Sequence, residues 1–393
     1  MALGIVCLSE RSRLLRHVTR RRLLSSVATL GLLGAAQGSP ASGAADVPLS
    51  RLAARSGRHF GAAVRIEEIR AQADLRDAVL RECSSLTPEI ALKWDAVERS
   101  PGAFRFEAVD DLLGFANRQG LRCHGHTLLW HGSTPDWAQA QLRSQRSWTL
   151  VQRYMEAVLS RYRSAIGQWD VVNEPIETGY RMDGLRGSVF LEVFGPDYIA
   201  RALHEARRLA PGAELMINEF ALEADSQVER DRRYHFLKLL ERLKRAGVPL
   251  DGVGLQAHLD LSNGPIRDAV YAPFLREIAG LGLFIVITEL DVKEYDYAQP
   301  VERRDRAVAD ATLRYLDIAL AQPAVRGVST WGMSDRHSWL RVTPEDLARH
   351  PGNWKDGSTP GLNRGLPFDG LMRRKPMYHA IANALRHAPA RTG

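Results

Sequence analysis

Short apolar runs rich in β-branched residues recur along the chain, at Phe60 to Val64, Cys123 to Leu129, Gln168 to Asn173, Ala213 to Glu219, Gly252 to His258, Leu283 to Glu289 and Val328 to Trp331, with another near Ser84 to Pro88. Between them lie longer amphipathic segments, Leu150 to Ile166, Asp197 to Leu209, Gln227 to Ala246 and Val301 to Ala321. The first pattern is that of strands buried on both faces, the second that of helices with one apolar side. Strand and helix alternate, which predicts a parallel sheet, and a count of eight strands predicts a closed (β/α)8 barrel, the TIM barrel, in a single α/β domain. An open doubly wound sheet is the alternative, but no Gly-x-Gly-x-x-Gly turn follows any early strand. A last helix is expected at about Pro376 to Arg386, after a Pro-, Gly- and Asn-rich loop from Arg341 to Asp369.

In such a barrel, functional side chains gather at the carboxyl ends of the strands. Glu89, His126, Asn173 with Glu174, Glu219, Gln256 with His258, Glu289 and Trp331 all fall at or just beyond a predicted strand end. Two of these positions carry acids inside apolar strings, Trp169-Asp170-Val171-Val172-Asn173-Glu174-Pro175 and Ile287-Thr288-Glu289-Leu290-Asp291-Val292. Two glutamates sharing one pocket supply the proton donor and the carboxylate that cleavage of a glycosidic bond requires. Asp291, two residues beyond Glu289 in a continuing strand, would face the same side. A contact from Asp291 to His258, and from His258 to Glu289, would hold Glu289 ionised and oriented.

His124-Gly125-His126 has a metal-ligand spacing, but the further acids and the lysine that such a hydrolase site needs form no matching string, and no metal or other cofactor is expected. His126 is expected to meet sugar hydroxyls and His124 to sit in the wall. Of eight tryptophans, Trp130, Trp331 and Trp339 flank the candidate strings and suit the C–H faces of sugars. Trp94, Trp148 and Trp169 are read as core.

Composition changes this picture little: 45% hydrophobic and 25% charged residues are ordinary for a soluble domain. The net charge of +7 resides mostly before Ala45, where six arginines against one acid contribute +5 and leave +2 for the rest. Nucleic acid is therefore not expected as a partner. Thr19-Arg20-Arg21-Arg22-Leu23-Leu24 opens an apolar stretch to Ala36, followed by small residues through Ala45. This is the pattern of an export signal, of the twin-arginine type, over residues 1–45, leaving 46–393 as the catalytic domain. About 14 apolar residues are too few to span a bilayer, so no stable membrane association is expected after export to the periplasm or the medium. Cys83 and Cys123 could form one disulfide or remain buried thiols. A monomer is expected.

Taken in order, the motifs resemble glycoside hydrolase family 10, the barrel endo-β-1,4-xylanases. The resemblance runs from Phe60-Gly61-Ala62-Ala63 through Leu86-Thr87-Pro88-Glu89 with Lys93-Trp94, Gly125-His126-Thr127-Leu128-Leu129-Trp130-His131 and the string ending in Asn173-Glu174-Pro175. It continues through Gly254-Leu255-Gln256-Ala257-His258, the string around Glu289, and Trp331-Gly332-Met333-Ser334-Asp335 with Ser338-Trp339, to Lys375-Pro376-Met377-Tyr378. It implies hydrolysis of xylan and xylo-oligosaccharides with retention, with Glu174 as acid/base and Glu289 as nucleophile. Asn173, Gln256 and His258, the last held by Asp291, would support the reacting sugar and the carboxylates. Glu89, Lys93, His126, Trp130, Trp331 and Trp339 would bind xylose units on the non-reducing side. Two positions depart from the family pattern. Ile90 stands where asparagine is usual, and Phe220 where tyrosine is common. Weaker distal binding is expected from the first, since a lost hydrogen bond is worth about 0.5 to 1.5 kcal/mol.

Overall fold

The computed structural model describes residues 47–294, 298–341 and 363–391. The expected export signal and most of the Arg341 to Asp369 loop lie outside the described residues. Ten strands are present among them: β1 (His59–Val64), β2 (Ser85–Pro88), β3 (Arg122–Gly125), β4 (Leu129–Trp130), β5 (Gln168–Asn173), β6 (Glu214–Glu219), β7 (Gly252–Leu255), β8 (His258–Asp260), β9 (Phe284–Lys293) and β10 (Val325–Thr330). Eight of them close a barrel in the order β1-β2-β3-β5-β6-β7-β9-β10, with β10 returning to β1. Every pairing is parallel, as connections through helices require. The two short strands extend this barrel at its carboxyl end, β4 beside β5 and β8 beside β9.

Two expected strands are therefore interrupted. Cys123 to Leu129 breaks after Gly125, and Gly252 to His258 breaks at Gln256-Ala257, where Ala257 takes φ 59°. A left-handed residue cannot continue a strand, so β8 restarts on a new line and pairs His258 with Asp291.

The strands alternate their side chains between two environments. Leu215, Ile217, Ile285 and Ile287 join the large core between sheet and helices, whereas Met216, Phe284 and Val286 form a small separate group. Gly252 leaves room for the Phe284 ring, which a Cβ would approach to 2.4 Å.

The expected helices appear at Thr149–Tyr162, Tyr198–Leu209, Gln227–Arg245, Val301–Leu320 and Pro376–His387. The third shows the pattern at work: Phe236, Leu239, Leu240 and Leu243 bury one stripe, and Ser226 Oγ accepts the Glu229 amide at the first turn. Further helices at Ala73–Glu82, Glu107–Arg118, Asp136–Gln145 and Asp268–Gly280 were not evident from the sequence. The first buries only the narrow apolar stripe Leu75, Ala78 and Val79, and the last contains Pro273 within its stripe of Tyr271, Phe274, Leu275 and Ile278. Cys83 and Cys123 are both buried free thiols, which settles the alternative left open above. Trp94, Trp148 and Trp169 are core, Trp94 stacking on Tyr154 at 4.0 Å.

Candidate active site

Glu289 lies within β9 and is 4% exposed. Its Oε1 accepts Asn218 Nδ2 at 2.6 Å, and its Oε2 lies 3.1 Å from His258 Nε2. The other ring nitrogen of His258 meets Asp291 Oδ1 at 2.8 Å, so the expected chain from Asp291 through His258 to Glu289 is present. The register of β8 on β9 produces it. Burial alone would raise Glu289, but His126 and His258 outweigh it and hold the carboxyl below its ordinary value. Burial would likewise lower His258, yet Asp291 and Glu289 lift it well above its ordinary value.

Glu174 follows the last residue of β5, in the left-handed region at φ 55°. Its amide donates to Asn218 O at 2.8 Å. Its Oε1 is reached by Gln256 Nε2 at 3.2 Å and Asn173 Nδ2 at 3.4 Å. Asn173 Oδ1 accepts in turn from Asn218 Nδ2 at 2.9 Å and Gln256 Nε2 at 3.3 Å. Asn218 thus touches both the Glu289 carboxylate and the amide beside Glu174, and ties the two glutamates into one polar network. Thr288 Oγ1 donates to Asn218 Oδ1 at 2.8 Å and so fixes which end of the amide faces Glu289.

The remaining sequence candidates surround this network. His126 Nδ1 meets Asp170 Oδ2 at 2.9 Å, leaving Nε2 for a ligand, and its ring packs edge-on against Trp331 at 5.1 Å. His124 stands behind it in the wall, sharing the same Asp170 oxygen at 2.8 Å. Asp170 is buried, which would raise it, but the two histidines bring it down to about 2. Lys93 Nζ lies 4.7 Å from the centre of the Trp130 ring and 5.6 Å from that of Trp331. Burial lowers its ammonium below the ordinary value against the pull of Glu289 and Glu89. Trp339 is half exposed, leans over His258 at 5.1 Å and donates from Nε1 to Asp291 Oδ2 at 2.6 Å. Glu89, buried and raised by that burial, is paired to Arg65 at 2.5 Å. Ile90 beside it is 42% exposed.

Sequence reasoning missed Asn218, Asp170 and Thr288. Asn218 carried a usable signal, since it precedes Glu219 at a strand end as Asn173 precedes Glu174. Glu219, placed at a strand end by sequence, does not touch the network from the side of the cleft. It is fully buried, raised to about 7 by that burial, and accepts the Ile176 amide at 2.8 Å. Among the described residues no three His, Cys, Asp or Glu side chains form a metal-ligand group.

A parallel barrel with an ionised glutamate held by histidine and amide donors, a second carboxyl in the same network and indole rings at the rim is the frame of a barrel glycosidase. Residues 48–384 match the model of glycosyl hydrolase family 10, and the chain belongs to that family. It is 31% identical over 343 residues to endo-1,4-beta-xylanase B of Thermotoga neapolitana, covering 86% of this chain and 92% of that one. The native xylanase 10B of Thermotoga maritima superimposes with a TM-score of 0.74 at 28% identity, covering 86% of this chain and 98% of that chain. Xylanase 10B of Thermotoga petrophila RKU-1, solved in complex with xylobiose, does so with a TM-score of 0.73 at 28% identity, covering 86% and 97%.

Proposed function

We propose that this glycoside hydrolase is an endo-1,4-β-xylanase that cleaves internal linkages of xylan and xylo-oligosaccharides with retention of anomeric configuration. The supporting observation is the environment of Glu289, a buried carboxyl held below its ordinary value by His126 and His258, hydrogen-bonded by Asn218 and linked through Asn218 and Asn173 to Glu174. In the first step a Glu289 oxygen attacks the anomeric carbon as the bond to the leaving oxygen breaks, and Glu174 gives its proton to that oxygen. A covalent glycosyl ester results. In the second step Glu174, now ionised, takes a proton from water as the water oxygen attacks the anomeric carbon and releases Glu289. The reaction needs no metal or cofactor. Lys93, Glu89 and His126 offer polar contacts to sugars on the non-reducing side, and Trp130, Trp331 and Trp339 offer ring faces.

Proton NMR of xylo-oligosaccharide hydrolysis tests the reading: the β-anomer is expected first, and an α-anomer as first product overturns retention. Glu289→Ala is expected to abolish turnover. Glu174→Ala should lower kcat on xylan by about 10² to 10⁴, with azide restoring part of the rate on an activated aryl xyloside. We also propose export of the chain as a monomer through the twin-arginine route, on the pattern around Arg20 to Arg22. Replacing Arg20, Arg21 and Arg22 by lysine should leave the enzyme in the cytoplasm.

A further inference from the structure

The turn that carries Glu174 is gripped from one side. Arg186 donates from Nε to the carbonyl oxygen of Glu174 at 2.8 Å and from Nη2 to that of Ile176 at 3.0 Å, and its own amide donates to Pro175 O at 2.7 Å. Three consecutive carbonyls are therefore held by one residue. The intervening segment brings it there by folding back on itself: Ile176 and Leu185 form an antiparallel bridge, and the Glu177 amide donates to Gly184 O at 2.9 Å. At Gly184, with φ 67°, a Cβ would lie 2.2 Å from the His235 ring, so the return is fitted closely against the Gln227–Arg245 helix.

A second guanidinium completes the grip. Arg232 Nη1 donates to Ile176 O at 2.6 Å and contacts Glu219 Oε1 at 3.2 Å, while Glu219 Oε2 accepts the Ile176 amide. The Phe220 ring lies near both guanidinium groups, its centre 4.4 Å from Arg232 Cζ and 5.5 Å from Arg186 Cζ. Guanidinium is planar and presents its donors in a fixed fork, so the two carbonyls it spans cannot rotate independently. Glu174 is the residue in need of such restraint, because a non-glycine side chain in the left-handed region stays there only when its surroundings over-determine it.

We propose that Arg186 is a positioning residue for the proton donor, holding the Glu174 turn so that the carboxyl points at the oxygen leaving the anomeric carbon. The proposal rests on the assignment of Glu174 as acid/base made above. Its consequence is selective. Proton donation matters for a leaving group that departs as a poor anion and matters little for one that departs readily. Loss of Arg186 should then act on the first kind of substrate and spare the second, which a general loosening of the barrel would not do.

The experiment compares Arg186→Met and Arg186→Lys with the parent enzyme on aryl β-xylobiosides, one with a 2,4-dinitrophenyl and one with an unsubstituted phenyl leaving group, and on xylan. Thermal melting is followed in parallel. For Arg186→Met, kcat/KM should fall about 10- to 100-fold on the phenyl glycoside and xylan, a part of the full acid contribution, and less than about threefold on the dinitrophenyl glycoside. Arg186→Lys, which keeps the charge and one donor direction, should recover part of the loss. Equal losses on the two aryl glycosides, or no loss on either, overturn the proposal. Glu174→Ala, measured on the same pair, separates the two failures: if it shows no dependence on the leaving group, the assignment of Glu174 fails and the role of Arg186 falls with it, whereas a strong dependence in Glu174→Ala and none in Arg186→Met overturns the role of Arg186 alone.

Discussion

Asn218 Nδ2 donates to Glu289 Oε1 at 2.6 Å from a strand whose neighbour, β7, has a glycine at the point of closest approach. At Gly254 a Cβ would lie 2.1 Å from Asn218 Oδ1 and 3.0 Å from Thr288 Cγ2. The orientation of the amide that serves Glu289 therefore depends on an absent methyl group on the adjacent strand.

Gly254→Ala is expected to displace Asn218 and leave Glu289 without its amide donor. A lost hydrogen bond to a charged group is worth about 1.5 to 3 kcal/mol, so kcat on xylan should fall roughly 10- to 100-fold. Steady-state kinetics, with a circular dichroism spectrum to confirm the fold, check this. Unchanged kcat would show that Asn218 does not act on the reacting carboxylate.

The pH profile reports the partners of Glu289. Its carboxyl is held below the ordinary glutamate value, chiefly by His126 and His258 against the effect of burial. In the proposed mechanism the ionised form attacks, so activity should persist on acidification until the pH drops below that ordinary value. His258→Gln removes one of the two groups that oppose burial, and the acidic limb of kcat/KM should move to higher pH. A limb that stays in place would remove His258 from this role.

Stability should depend on pH through a different group. Glu223 is fully buried and raised to about 7, by burial first and then by the charge of Glu229. From its ordinary value of 4.5 up to about 7, the unfolded chain gives up this proton while the fold keeps it. This contribution to stability is thus complete below 4.5 and is lost as pH rises to about 7, at up to about 1.4 kcal/mol per pH unit. Glu223→Gln should flatten the decline in unfolding free energy between pH 5 and 7, measured in urea. Parallel curves for the two proteins would contradict it.

Distal binding should be improvable at one position. Ile90, exposed beside Glu89, offers no polar atom to a sugar hydroxyl. Ile90→Asn is expected to lower KM for xylotetraose about 2- to 10-fold, the value of one hydrogen bond, with kcat little changed. A change in kcat alone would place Ile90 elsewhere than in ground-state binding.

Much of this arrangement was legible in the chain. Runs of β-branched residues identify strands because both faces of a barrel strand are buried, and the Asn-Glu and Thr-Glu-Leu-Asp strings stand out because charge is rare at the end of such a run. The link from Asp291 through His258 to Glu289 could be anticipated, since two of its members share one strand. The helices Ala73–Glu82 and Asp268–Gly280 were less visible, the first because its apolar stripe is small and the second because an internal proline reads as a break.

Sequence by itself therefore determined the barrel, the two glutamates and most of the residues around them, all of which follow from local pattern and strand ends. Tertiary structure decided what holds those glutamates. Asn218 is 71 residues from Glu289, Asp170 is 44 from His126, and Arg186 reaches Glu174 only because the chain between them folds back. A local pattern records which side of an element is buried; which distant donor meets a given acceptor is settled only when the barrel closes and strand register brings the two within hydrogen-bonding distance.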